Sequence, residues 1–369
     1  MSENKLNEIP EVMTAVQLTG NGGPEKLSVL HDIPVPEIGE DEVLLRVKTC
    51  GMNNTDINTR VGWYSKSVTA ATSSKGFGHI EEEQTWGGER LSFPRIQGAD
   101  VCGIVVDVGK DAEAGLIGRR VLVDPCIRDP KSENWRDNAK YLGSEINGAF
   151  AQYCAVPLRN TYPINSEMTD IELASFPCSW ATAEHMLTRS RLRKGQTLVV
   201  TGASGGVGTA LIQLAKLREA CVIAVTSSEK FNSVKDCGAD LVLDRNEKEL
   251  KGNIIELAQG PVDVLADVAG GNNFAQLFES ITKGGCYVTS GAIAGPIVDL
   301  DLRTLYLNDI EMHGCTVYDP SVFKMLIEYI ENERVKPVIG GVFRLEEIRQ
   351  AQEEFSKKQH VGAMVLTVD

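Results

Sequence analysis

Thr197-Leu-Val-Val-Thr-Gly-Ala-Ser-Gly-Gly-Val-Gly-Thr-Ala-Leu211 is the stretch on which the fold turns. An apolar run leads at once into a glycine-rich turn. The turn leads into Val207–Leu217, where apolar residues at 207, 211, 214 and 215 follow a helical period. Strand, turn and helix in immediate succession form the context in which such a turn cradles a pyrophosphate. Gly205 lets backbone N–H groups approach the phosphates at the helix N-terminus, where the dipole favours negative charge. Gly208 lets the helix pack closely on the strand. Ser204, Gly206 and Val207 complete the expected loop, and Ala203 stands where the fingerprint has its first glycine. The alternative is a glycine-rich turn in an unrelated α/β protein.

Downstream, apolar runs at Ala220–Thr226, Leu241–Leu243, Val262–Asp267 and Cys286–Thr289 alternate with helical segments. That alternation predicts a parallel sheet with helices on both faces. The end of the second run selects the dinucleotide, because an NAD site places an acidic side chain there for the ribose 2′-hydroxyl. This chain reads Val225-Thr-Ser-Ser-Glu-Lys-Phe231. Ser227 and Ser228 are small donors, and Lys230 meets a 2′-phosphate as a point charge. Glu229 falls within the next turn and is expected to face solvent. NADPH is therefore the expected cofactor; for Lys230 the alternative is an exposed lysine at a helix start.

Upstream, residues 14–50 alternate apolar and polar in short runs separated by Gly and Pro clusters, and strand signals resume at Asp100–Val108, Arg120–Val123 and around Ala149–Val156. This is strand and turn chemistry, and it predicts an antiparallel β domain. Residues 1–12 form a polar tail. The β domain is expected over 13–160 and again over 311–369, with the dinucleotide-binding domain over 161–310. The last part is expected to hold a strand at 310–318, helices Ser321–Glu333 and Leu345–Lys357, and a final strand Ala363–Val368. Two polar segments, 65–93 and 127–147, interrupt the β domain as surface insertions or as arms over a cleft.

A length of 369 residues suits two domains at roughly 100–200 residues each. A net charge of −14 repels a nucleic-acid backbone or an anionic membrane on average, so neither is expected as a partner. Nine cysteines, scattered and without a C-x-x-C pair, point to reduced thiols in a cytoplasmic setting. The first residues lack the basic and apolar regions of a signal peptide, and no apolar run approaches the ~18–20 residues of a membrane span. A cytoplasmic protein acting on a small molecule is expected.

Several motifs then resemble one family. They are Pro34–Gly39, Cys50-Gly-Met-Asn-Asn-Thr-Asp56, the run Gly98–Gly109, Gly148–Tyr153, Thr201–Gly208 and His360-Val-Gly362. Together they resemble the medium-chain dehydrogenase/reductase superfamily. The resemblance implies a GroES-like β domain, a doubly wound Rossmann domain, an active site in the cleft between them, and a homodimer built on Rossmann sheet edges. Alcohol dehydrogenases of this superfamily hold catalytic zinc with a Cys in the first of these motifs, a His in a Gly-His-Glu motif and a later Cys or His. Here Asn53 stands for the first, Gly98-Ala99-Asp100 lacks the His, and Cys178 alone stands at the third position. One thiolate does not make a site that wants three protein ligands and a water. The family's structural-zinc cysteines are likewise missing around Cys126, so the chain is read as zinc-free.

Without a Lewis acid, a hydride still reaches an acceptor that stabilises negative charge itself, such as a quinone or an α,β-unsaturated carbonyl. The quinone-oxidoreductase-like branch does this, and its N-x-x-D…R-x-G-x-Y pattern corresponds to Asn53, Asp56, Arg60, Gly62 and Tyr64. By resemblance Asn53 lies near nicotinamide and substrate, and Tyr64 donates to the oxygen that gains charge. Asn53 and Asp56 also suit a helix cap, and Tyr64 also suits packing under the insertion. Ser290 is a further cofactor-site candidate and Tyr306 a further cleft candidate, neither with a signature of its own; His185 is expected to be structural. An alcohol dehydrogenase or carbonyl reductase, and a non-catalytic NADPH-binding protein, remain as alternative functions.

Overall fold

A computed structural model describes residues 9–72, 86–88, 90–134 and 136–368. The middle of the 65–93 insertion and residues 1–8 of the tail lie outside them.

The eleven-residue strand Glu42–Met52 organises the N-terminal domain. Val43, Leu44, Leu45, Val47 and Cys50 are buried along it, so it needs cover on both faces and partners on both edges. Cys102–Val108 and Ala363–Thr367 pair with it antiparallel, and Tyr153–Pro157 pairs with its first half. Arg120–Val123 and Thr161–Pro163 extend this seven-stranded sheet at one end, and Ile339–Arg344 at the other. A second sheet of three strands, Leu27–Pro34, Val12–Leu18 and Arg95–Ile96, shares a continuous apolar core with it. At the end of the spine the chain turns into helix α1 (Asn54–Val61), which Gly62 ends in the left-handed conformation at φ 71°.

Helix α2 (Pro177–Ser190) carries the chain to the second domain, burying Trp180, Met186 and Leu187. There β1 (Thr197–Val200) has no exposed surface at Leu198, Val199 or Val200. Helix α3 (Gly206–Leu217) follows it. Then come β2 (Cys221–Thr226), β3 (Leu241–Asp244), β4 (Val262–Asp267) and β5 (Ile281–Thr289). After α4 (Leu302–Leu307) the edge strand β6 (Glu311–Gly314) completes a parallel sheet of order β3-β2-β1-β4-β5-β6. The order reverses between β1 and β4, which opens a crevice at their C-terminal ends. Helix α5 (Pro320–Glu331) packs beside α2.

The two-domain α/β architecture is the expected one, and its boundaries move. Thr161–Pro163 pairs with Arg120–Val123 and so belongs to the first domain. The 310–318 strand is shorter than expected and lies in the other sheet, as β6 beside β5. An edge strand with exposed Glu311 and Met312 shows no buried apolar run, so its sequence did not mark the sheet it joins. Ile339–Arg344, half-exposed along its length, carried no strand signal for the same reason.

Candidate active site

Asn53 occupies the N-cap of α1 in extended conformation, yet its side chain makes no bond to the helix. Capping is done from the other side, where Asp56 Oδ2 accepts the Asn53 backbone N–H at 2.8 Å. The Asn53 amide is thereby left for longer-range partners. Its Nδ2 donates to Asp100 Oδ2 at 2.9 Å, and its Oδ1 accepts from Ser179 Oγ at 3.2 Å. Asp100 Oδ1 accepts from the Cys178 backbone N–H at 2.7 Å. Three separate pieces of chain, the starts of α1 and α2 and the 98–100 turn, converge here.

Asp56 is 3% exposed and bonds to backbone on both oxygens, the second accepting from Gly98 N–H at 3.3 Å. It pins α1 to the 97–98 segment, with both oxygens of the expected catalytic carboxylate taken by backbone N–H groups. Burial pushes its carboxyl up to about 7, against the two N–H donors, and burial likewise pushes Asp100 up to about 8. Arg60 of the same pattern is also structural, donating to Gln352 Oε1 at 2.7 Å and to the Gly22 carbonyl at 2.6 Å.

Tyr64 is half-buried, and its hydroxyl donates to Thr55 Oγ1 at 3.1 Å. Burial raises its phenol to about 12, with Cys178 and Asp56 near enough to add to the rise. The Cys178 thiol is held well above its usual value, by burial first and the Asp100 carboxylate next; Tyr141 and Thr182 hydrogen-bond to it. Tyr141 itself packs against Trp86, ring centroids 4.8 Å apart, at the end of the 65–93 insertion. Asn53, Tyr64, Asp100, Tyr141 and Cys178 therefore form one cluster. His185 lies on the same helix beyond it, 4% exposed and lowered to about 4, mainly by burial, which suits the structural role expected of it.

Among the described residues zinc has no donor set. An amide, the Ala99 methyl and the Cys178 thiol stand at the three ligand positions, and both Asp100 oxygens already accept N–H donors. Among the described residues no group of three His, Cys, Asp or Glu is placed to hold a metal. The residues do not fit the metal.

A dinucleotide does fit the crevice. Gly205 is the N-cap of the twelve-residue α3 and no side chain caps the helix, so its first N–H groups are left to a ligand. A Cβ on Gly208 would sit 2.4 Å from the Gly202 carbonyl oxygen and 2.5 Å from Ala203 Cα, so only glycine lets α3 approach the turn. Ala203 is fully buried, and the Ser204 carbonyl accepts from Gly362 N–H at 2.8 Å, which lays the first domain's last loop across the turn. Val207 is half-buried at the start of the helix. Asp267, which carried no signal in the sequence, organises the switch point: its carboxylate accepts from Thr201 and Tyr287 hydroxyls and from Ala269 and Gly270 N–H. Ser290 sits at the end of β5 with its Oγ 3.1 Å from Met186 Sδ.

At the end of β2, Ser227 is buried, Ser228 and Glu229 are exposed, and Lys230 is only 8% exposed. Lys230 Nζ donates to the backbone carbonyls of Lys358 at 2.6 Å and His360 at 3.0 Å, across the domain boundary. Lys358 in turn donates to Asn54 Oδ1 at 2.7 Å and lies 3.8 Å above the Phe355 ring. Burial and then Lys230 lower Lys358 to about 7, and burial and then Arg245 lower Lys230. His360 falls to about 4 by burial and then by both lysines. Lys358 and Arg245 escaped the sequence reading, and His360 entered it only as a motif position, because they approach Lys230 only through folding, from 128, 15 and 130 residues away.

Comparison with known proteins agrees with this geometry. The alcohol dehydrogenase GroES-like domain profile matches residues 39–166, and the zinc-binding dehydrogenase profile matches residues 206–332. A solved structure from Sinorhizobium meliloti 1021, described as a candidate alcohol dehydrogenase, is 41% identical, covers 98% of both chains and superposes with a TM-score of 0.89. An NAD-dependent alcohol dehydrogenase of Sulfurisphaera tokodaii is 27% identical over 96% of this chain and 99% of its own. A quinone oxidoreductase of Rattus norvegicus is 26% identical over 96% of this chain and 98% of its own. Matched in both domains and along nearly its whole length, this chain belongs to the medium-chain dehydrogenase/reductase superfamily, oxidoreductases that bind a nicotinamide dinucleotide.

Proposed function

We propose that the protein is an NADPH-dependent, zinc-independent reductase of quinones or α,β-unsaturated carbonyls. The observation that carries this is the Asn53–Asp100–Cys178 arrangement, which puts hydrogen-bonding groups where a Lewis acid would need three metal donors. Such groups stabilise charge that an acceptor already delocalises, and they polarise a simple aldehyde poorly. The likeness to a quinone oxidoreductase supports the reading; the likeness to an NAD-dependent alcohol dehydrogenase supports the alternative substrate class and cofactor.

Bound nicotinamide supplies the hydride. The chain's own residues do the rest. The α3 N-terminus and Ser204–Gly206 turn bind the pyrophosphate, while Lys230, Lys358 and Arg245 gather positive charge for the 2′-phosphate. Tyr64 and Asn53 offer donors to the acceptor oxygen, and the raised Tyr64 phenol keeps its proton at neutral pH. Water completes protonation of the product.

The test is consumption of NADPH and NADH against quinones, enones and simple aldehydes, with chelator and again with added zinc. Chelator-resistant, NADPH-preferring turnover of quinones or enones is expected. Zinc-dependent turnover of aldehydes overturns the proposal, and tight NADPH binding without any turnover moves the non-catalytic reading to the front.

We also propose a homodimer. Ile297, Leu302, Tyr306, Leu307 and Met312 are exposed together around α4 and the unpaired edge of β6, with Tyr306 at 63%. A second copy adding its own β6 would cover both the edge and the apolar patch. On this reading Tyr306 belongs to the dimer face.

A further inference from the structure

Asp100 directly follows Ala99, one of the three ligand positions, and the task of its buried side chain in the reaction is still to be assigned. It is 2% exposed, faces no cation in hydrogen-bond range among the described residues and serves two N–H donors, the Asn53 amide and the Cys178 backbone. Burying an ionisable group for an amide is costly unless the amide's orientation matters. A carboxamide's two ends are nearly the same shape, so only its hydrogen-bond partners decide which end points where. Asp100 Oδ2 takes the nitrogen end of Asn53 and the Ser179 hydroxyl takes the oxygen end. One amide hydrogen is spent on Asp100, and the second remains.

Resting on the proposed reductase reading, we propose that Asp100 and Ser179 are positioning residues that hold the Asn53 amide in one orientation, so that its second hydrogen is donated to the acceptor oxygen on which charge develops. The three side chains are each less than 10% exposed, where a hydrogen bond is stronger than in water. The arrangement also reports on the cofactor site. Ser179 Oγ lies 2.6 Å from where a Cβ on Gly206 would stand, so the group that holds the amide oxygen rests on the first residue of α3. Asn53 is thus oriented by contacts that exist only when the phosphate turn, α2 and α1 are docked together.

The experiment compares Asp100→Asn, Ser179→Ala, Asn53→Ala and the Asp100→Asn/Asn53→Ala pair in the full-length protein. Asp100→Asn keeps the volume and offers a donor as readily as an acceptor, so the amide is free to flip. Its kcat should fall about 10–100-fold, with KM for NADPH changed by less than about threefold, and the pair should be no slower than Asn53→Ala alone. Ser179→Ala removes the other anchor with little volume change and should show the same split, which keeps the test open if Asp100→Asn fails to fold. Selective ¹⁵N-asparagine labelling supplies a readout independent of turnover: the two Asn53 side-chain amide protons should be strongly non-equivalent in the wild type and converge in Asp100→Asn or Ser179→Ala. Unchanged kcat, additive loss in the pair, or an unmoved Asn53 amide signal in a folded, NADPH-binding variant overturns the proposal. If the wild type reduces no acceptor, the function reading fails, and the amide signal still decides whether Asp100 and Ser179 orient Asn53.

Discussion

Lys230, Lys358 and Arg245 show how one charge acquires meaning from its neighbours. Three cations share a half-buried corner, each lysine is pulled below its usual value, and the acid acting on Lys230 is the exposed Glu229. A dianionic 2′-phosphate relieves that repulsion, whereas a 2′-hydroxyl does not. Lys358 falls from an ordinary 10.5 to about 7. Between those values the unfolded chain binds a proton that the folded chain has released, so this group's contribution makes stability rise with pH across that window. Binding a phosphate favours the ammonium and reverses the loss. At pH 8, NADPH binding should therefore take up a proton, up to about one per site, and NADH binding should take up none. Calorimetry in buffers of different ionisation enthalpy measures this, and Lys358→Met should abolish the uptake while weakening NADPH about tenfold or more. Lys230→Ala should likewise weaken NADPH far more than NADH in a fluorescence titration; equal losses would remove the NADPH assignment.

The β1–turn–α3 unit depends on backbone approach more than on any side chain. Its glycines are not interchangeable: a Cβ on Gly205 would come no nearer than 3.5 Å to the Gly202 carbonyl oxygen, whereas one on Gly208 would overlap that oxygen and Ala203. Gly208→Ala must push α3 off the 202–203 turn, and a cost of about 1–3 kcal/mol is expected from such overpacking. The thermal midpoint should drop and NADPH affinity with it, while Gly205→Ala should lower affinity with little change in the midpoint. Differential scanning calorimetry with and without NADPH separates the two. Helix α1 works differently. Asp56 fastens its first turn to the 97–98 segment, and Gly62 stops it so that Trp63 and Tyr64 turn back toward its start.

In the whole molecule the two domains share an apolar core that runs from Leu122 and Tyr141 to Leu198 and Phe323, and hydrogen bonds join Ser179 with Asn53, Gly362 with Ser204, Lys230 with the 358–360 turn, and Tyr318 with Asp124. The first three of these bonds join residues of the candidate site, so docking the domains also assembles the site. The apolar face around α4 lies on the far edge of the sheet. Tyr306→Glu puts a charge into that face and should shift the protein from dimer to monomer in light scattering after gel filtration, with NADPH affinity kept. A wild-type monomer at micromolar concentration would remove the dimer proposal.

The alternating pattern from residue 197 to 289 was enough to derive the parallel sheet, its phosphate turn and the helix behind it, because a strand buried on both faces must be continuously apolar and a turn that meets phosphate must lack side chains. Asn53, Tyr64 and the departures at Ala99 and Asp100 were visible as motif positions, since they lie within short stretches of chain. What sequence order concealed was pairing. The partner sheet of the 311–314 edge strand, the cations that join Lys230, the carboxylate Asp267 under the switch point, and the Asp100–Asn53–Ser179 hydrogen bonds each bring together residues between 15 and 130 positions apart or rest on strands too exposed to show an apolar run. Periodicity reports which face of an element is covered; only the packed chain supplies the group that covers it, and here those groups set the charge and the orientation of the site.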